Sequence, residues 1–163
     1  MLIFPKGTLI PENSQGVLKR GLILVDRTCC ISLIFNHSAL ITLPSYKYEC
    51  LTTTEIAYQK PTWHELRQRE HDMLQWLSVI VHKSNASRMA SLFLLFADYY
   101  AQESSQGLYI PWRLSQSCLA RILTTSQASV WSVLNTWKKH GWLMNYKQGW
   151  CICDPLALST LRG

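Results

Sequence analysis

The chain has 163 residues, enough for one ordinary domain or two small ones, and a 48% hydrophobic composition that is too apolar for a disordered polymer. No apolar run approaches the ~18 residues that a membrane helix needs, and Pro5, Lys6 and Gly7 interrupt the apolar opening before a secretory signal can form. The expected location is the cytoplasm, with no membrane partner. The formal charge of +6 is placed unevenly: residues 111–163 hold six Lys/Arg against one Asp/Glu, residues 61–110 four against five, and residues 1–60 six against four. A basic C-terminal third in an otherwise balanced chain is the footprint of polyanion binding.

Residues 1–60 carry Gly, Pro and Thr punctuation around short β-rich runs at 21–25, 30–35 and 39–43. They predict a small antiparallel sheet whose core is too small to stand alone, so that it leans on another segment or a second chain. Residues 61–83 form the next segment. Thr62 and Glu65 make a capping box, and Leu66, Met73 and Ile80 recur at heptad spacing, joined by Leu77. The intervening Arg67, Arg69, Glu70, His71 and Asp72 read as the solvated side. Such a stripe suits a seam between two copies of the helix; the alternative is a helix packed on its own sheet.

Residues 84–163 form the third segment. A core helix starts near residues 84–87, with Met89, Leu92, Phe93, Phe96, Ala97 and Tyr100 on one face. Residues 102–107 read as a polar loop and residues 108–112 as a short strand. Ser115 then caps a helix holding Leu119, Ala120, Ile122 and Leu123, and Ser126 caps a second holding Val130, Val133, Leu134 and Trp137. Only Thr124 and Thr125 separate them, so the two helices cross steeply, with the small Ala120 at the close approach. Two alternating runs, 142–146 and 150–154, flank Lys147, Gln148 and Gly149, which read as a three-residue hairpin connection. Helix, helix, hairpin is the order of a winged helix. The fold class is therefore α+β: a small N-terminal antiparallel β domain, a long dimerisation helix and a C-terminal winged helix-turn-helix.

The six cysteines, Cys29, Cys30, Cys50, Cys118, Cys151 and Cys153, are too sparse for a disulfide scaffold and lack C-x-x-C spacing. Reduced thiols are expected, with Cys151 and Cys153 as packing residues. The five histidines, His37, His64, His71, His82 and His140, are scattered, and no G-x-S-x-G, P-loop or H-E-x-x-H motif occurs. The reading is of a non-enzyme without a bound metal.

From about residue 63 to 158 the chain resembles the C-terminal half of the Crp/Fnr superfamily of bacterial transcription regulators. The likeness is carried by the long helix, by Ser87-Arg88-Met89, by Leu114-Ser115-Gln116-Ser117-Cys118-Leu119-Ala120, by residues 126–134, and by a wing closing on Ile152-Cys153-Asp154. It implies a homodimer on double-stranded DNA, its paired recognition helices in successive major grooves, with RNA polymerase as a further candidate partner. The positions matching the family's base readers are Gln127, Ala128 and Ser132. Gln127 suits adenine, Ala128 meets only a thymine methyl, and Ser132 is permissive, which leans readout towards A·T pairs and towards DNA shape. Trp131 is either a wedge at the sugar-phosphate edge or buried against the wing. By chemistry, Ser115, Arg121, Ser126, Ser129, Lys138, Lys139 and Lys147 are the phosphate donors, although Lys138 and Lys139 also suit the C-terminal end of a helix dipole.

The front half resembles the opening strands of the family's cyclic-nucleotide-type β-barrel in residues 4–10 and 18–24. It is shortened, and it lacks a Gly-Glu with a following Arg to hold a nucleotide phosphate. Cys29, Cys30 and Cys50 do not form the cluster that carries an iron–sulfur centre. No cofactor is expected. The alternative function is a protein-interaction module, built on Trp131 and Trp142, whose winged helix has lost DNA.

Overall fold

The computed structural model describes residues 1–27 and 30–162, Cys30 by its backbone alone. Its first strands are β1 (Leu2–Phe4), β2 (Gln15–Arg20), β3 (Ile23–Arg27), β4 (Cys30–Ile34), β5 (Ala39–Ile41), β6 (Lys47–Cys50) and β7 (Thr54–Ala57). Helices α1 (Trp63–Ile80) and α2 (Asn85–Tyr100) follow, then strands β8 (Gln102–Ser104) and β9 (Gly107–Ile110). Helices α3 (Gln116–Ile122) and α4 (Gln127–Lys139), strands β10 (Leu143–Tyr146) and β11 (Gly149–Ile152), and helix α5 (Pro155–Thr160) complete the order. The α+β class stands as read. The chain divides into two compact units, Met1–Trp76 and Leu77–Gly163, with the division inside α1. Among the described residues, no helix is long and apolar enough to cross a membrane.

In the first unit the single expected sheet is two antiparallel sheets, β1-β7-β2-β5 and β4-β3-β6. The cause lies at Gly21, where the ribbon passes from β2 to β3. Its φ is 116°, and a Cβ there would sit 2.7 Å from Thr54 Oγ1, so only glycine makes this bend. Leu18, Leu40 and Ile56 from one sheet and Ile23, Val25 and Ile34 from the other share a single buried cluster with Tyr48 and Cys50. A core of its own thus exists, and the first turns of α1 add to it.

That addition is polar. Asp72 is fully buried; it accepts a hydrogen bond from the Ser38 hydroxyl and another from Gln68 Nε2 at 2.9 Å. Arg69 Nη1 donates to the Leu33 carbonyl at 2.8 Å and Trp76 Nε1 to that of Ile31 at 2.8 Å. Asp72 and Arg69 therefore do not belong to the solvated side where the sequence pattern puts them. Burial lowers the Arg69 guanidinium from its ordinary value, with Asp72 opposing the shift.

In the second unit α2 starts at Ser84, whose hydroxyl accepts the Ser87 N–H at 3.0 Å, and buries Met89, Leu92, Phe93, Leu95 and Phe96. The polar residues 102–107 are not a loop. They form β8 and the turn into β9, and β8 is polar because it is the outer edge of the sheet β10-β11-β9-β8. Helix α5 extends the chain beyond the wing, capped by Asp154 through the Ala157 N–H at 2.9 Å.

Candidate nucleic-acid interface

The site is built on two serine caps. Ser115 Oγ accepts the Cys118 N–H at 3.2 Å and starts α3, and Ser126 Oγ accepts the Ser129 N–H at 3.1 Å and starts α4. Between the helices Thr124 takes a left-handed φ of 52°, and the Thr125 N–H returns to the Ala120 carbonyl at 2.9 Å. Ala120, which is buried, thus also anchors the turn through its carbonyl. Leu119, Ala120 and Ile122 of α3 and Val130, Leu134 and Trp137 of α4 face the core. Behind α4, Trp137 meets the Phe93 ring edge-on at 5.5 Å, and Phe93 meets Trp150 at 4.7 Å. These aromatic contacts make a stiff backing for the helix.

The outer face of α4 carries Gln127, Ala128, Trp131 and Ser132, all exposed. Trp131 is 55% exposed, which excludes the reading in which it is buried against the wing. Ser129 is half-buried, and its hydroxyl lies 2.9 Å from that of Ser126. Ser115, Arg121, Lys138 and Lys139 are exposed, the two lysines in the last turn of α4, where the helix dipole also favours them.

The wing differs from expectation in its turn. Tyr146 pairs directly with Gly149, so Lys147 and Gln148 alone make the connection, with Lys147 at φ 49°. Gly149 serves a different purpose: a Cβ there would lie 1.8 Å from the Ile110 carbonyl oxygen, so glycine is what lets β11 approach β9. At the tip the Lys147 ammonium stands 5.3 Å from the Tyr146 ring and 5.6 Å from the Tyr109 ring. The two rings meet edge-on at 5.4 Å and hold the cation in place. Sequence reasoning misses Tyr109 and Tyr146, although both sit in the short strand runs. Trp142 is half-buried and stacks on His140 at 4.8 Å.

On α1 the heptad residues are outside: Met73 is 48% exposed, Leu77 45% and Ile80 40%, against 2% for Trp76. Leu66 is exposed on the same stripe. Cys151 is buried and Cys153 half-buried, and burial raises the Cys153 thiol above its ordinary value. Among the described residues, no group of His, Cys, Asp and Glu could hold a metal ion. Cys29 and the Cys30 side chain lie outside the described residues.

Residues 87–161, which contain α3, the turn, α4 and the wing, match the Crp-like helix-turn-helix domain. The match covers less than half of the chain. The whole chain also shares its fold with transcription regulators of known structure. TTHB099, a CRP-family transcriptional regulator of Thermus thermophilus, is 16% identical, with a TM-score of 0.79 over 99% of this chain and 96% of its own. TTHA1359 of the CRP/FNR family, from the same organism, is 15% identical, with a TM-score of 0.70 over 99% and 97%. FixK2 of Bradyrhizobium japonicum is 10% identical, with a TM-score of 0.73 over 99% and 96%. No curated protein matches the sequence. The family match thus covers the helix-turn-helix segment, and the solved structures show the fold of the chain.

Proposed function

We propose that the protein is a transcription regulator that binds double-stranded DNA as a homodimer, with α4 in the major groove. The observation that carries this reading is the outer face of α4, where Gln127, Ala128, Trp131 and Ser132 are exposed in a helix-turn-helix whose rim carries Arg121, Lys138, Lys139 and Lys147. The side chains on the helix meet base edges, while the cations and the serine-capped helix starts position the phosphates. Dimerisation through Leu66, Met73, Leu77 and Ile80 brings two such helices to half-sites about one helical turn, roughly 34 Å, apart. The reading includes no cyclic-nucleotide or iron–sulfur effector, because the phosphate-holding Gly-Glu and Arg and the cysteine cluster are missing from the sequence.

A fluorescence-polarisation titration against duplex DNA tests it. Affinity should fall with salt on a log–log slope of about −0.9 per neutralised phosphate. Replacing Lys138, Lys139 and Lys147 by Ala should weaken binding evenly across sequences and lower the slope by about one for each phosphate that is no longer neutralised. Absent or salt-independent binding would overturn the proposal in favour of a winged helix that docks a protein partner.

A further inference from the structure

We infer that α4 reads the C5 methyl groups of thymine, with Ala128 and Trp131 as the contacting pair; the inference rests on the DNA-binding role proposed above. In the major groove, thymine is distinguished by one acceptor and one methyl group. Two of the exposed side chains on the outer face of α4 suit the methyl rather than a hydrogen-bonding edge. Ala128 offers only a methyl, and Trp131 offers a large apolar ring with a single N–H donor. Trp137, the other tryptophan of this helix, is turned into the core at 1% exposure, whereas Trp131 is 55% exposed on a helix whose last turn carries Lys138 and Lys139. A large apolar side chain on a basic helix fits a partner that presents apolar spots inside a polyanion, which describes thymine methyls between two phosphate strands.

The spacing agrees with this assignment. Three residues of helix advance about 4.5 Å, close to the roughly 3.4 Å step between bases along one strand. Ala128 and Trp131 therefore share one face of α4 at a separation comparable to one base step. Gln127 and Ser132 flank them with hydrogen-bonding groups that suit adenine and are permissive, respectively. The site so defined prefers adjacent thymines, and its selectivity resides in a group that can be deleted chemically without altering base pairing.

The test uses the full chain and a duplex that the protein itself enriches from a randomised pool, resynthesised with thymine or with uracil. Uracil keeps the O4 acceptor and removes only the methyl. The thymine duplex should bind more tightly by about fourfold for each buried methyl. Trp131→Ala, at an exposed position, should lower this ratio by about the factor for one methyl while leaving the salt dependence in place, and Trp131→Phe should retain part of it. Equal affinity for the two duplexes, or a ratio that Trp131→Ala leaves unchanged, would overturn the methyl reading while DNA binding stands. Failure to enrich or bind any duplex would instead overturn the proposed function.

Discussion

Arg88 and Leu123 are joined across 35 residues of sequence: Arg88 Nη1 donates to the Leu123 carbonyl at 3.1 Å, while Nη2 holds Asn85 Oδ1 at 2.6 Å. The Leu123 carbonyl is one of the acceptors that the end of α3 leaves without an intrahelical donor. A guanidinium there satisfies the acceptor and opposes the negative end of the helix dipole. One side chain thereby ties the first turn of the core helix α2 to the turn between α3 and α4. The aim of α4 is set from beneath as well as by its own packing.

Arg88→Ala should destabilise the second unit by about 1–3 kcal/mol, since it strands a polar group that a charged donor had satisfied. Lysine should recover only part of this, because a single ammonium cannot reproduce the two-armed geometry. Urea unfolding followed by the fluorescence of buried Trp137 and Trp150 measures the effect. A midpoint identical to that of the unsubstituted protein would show that the bond contributes nothing.

Gly149 and Gly141 make a matched pair of tests. At Gly149 a Cβ would meet the Ile110 carbonyl at 1.8 Å, so Gly149→Ala must push β11 away from β9 and should cost about 3 kcal/mol. Gly141 has φ 71° with nothing within 4 Å of its Cβ position, so Gly141→Ala incurs only the left-handed backbone penalty, roughly 1–2 kcal/mol. Equal losses at the two positions would mean that steric approach is not the reason for glycine in the wing.

Elements defined by local chemistry are legible in the sequence. The caps at Thr62, Ser115 and Ser126, the start of α2 near Ser84 and the short turn at Thr124 are all set by neighbours a few residues away, and the structure places them as the spacing indicates. Most of the misses depend on distant partners. Gln102–Ser104 looks like loop for another reason: it is polar throughout, although its partner β9 follows after only two residues. Asp72 and Arg69 look solvated because their partners, Ser38 and the Leu33 carbonyl, lie 34 and 36 residues away. Gly149 reads as a turn residue, whereas the atom that requires glycine belongs to Ile110. The α5 start at Asp154-Pro155 is a local signal that the pattern does carry, an N-cap followed by a first-turn proline, and it is overlooked beside the wing. Within the site, composition can name Trp131 but not its exposure, which depends on how α4 is rolled against Phe93 through Trp137.

The Glu65 capping box gives the fold an acid-sensitive joint. The Thr62 N–H, 2.7 Å from Glu65 Oε2, is the main cause holding this carboxyl below its ordinary value, aided by the Thr62 hydroxyl and Lys19. Since the folded value lies below the unfolded one, the stabilisation is complete above the ordinary glutamate range of about 4.3. It is lost as the pH falls through the folded value. Glu65→Gln should lower stability at neutral pH and flatten the acid limb of urea midpoint against pH. Acid limbs of equal steepness would assign the sensitivity to other carboxylates.

Met73, Leu77 and Ile80 are 48%, 45% and 40% exposed on a helix whose adjoining face is anchored by buried Trp76 and Asp72. The exposed stripe therefore cannot be turned inward without tearing that anchor away, and the surface it offers is spaced for a second copy of the helix. Leu77→Glu, in the middle of the seam, would set two carboxylates against each other across the two-fold axis. It should leave thermal unfolding of the first unit unchanged while light scattering shows a shift from dimer to monomer. On DNA carrying two half-sites the variant should bind far more weakly than the unsubstituted protein, with little difference on a single half-site, because the loss is one of linkage rather than of groove contacts. A variant that remains dimeric would place the subunit contact elsewhere and leave the α1 stripe without its proposed role.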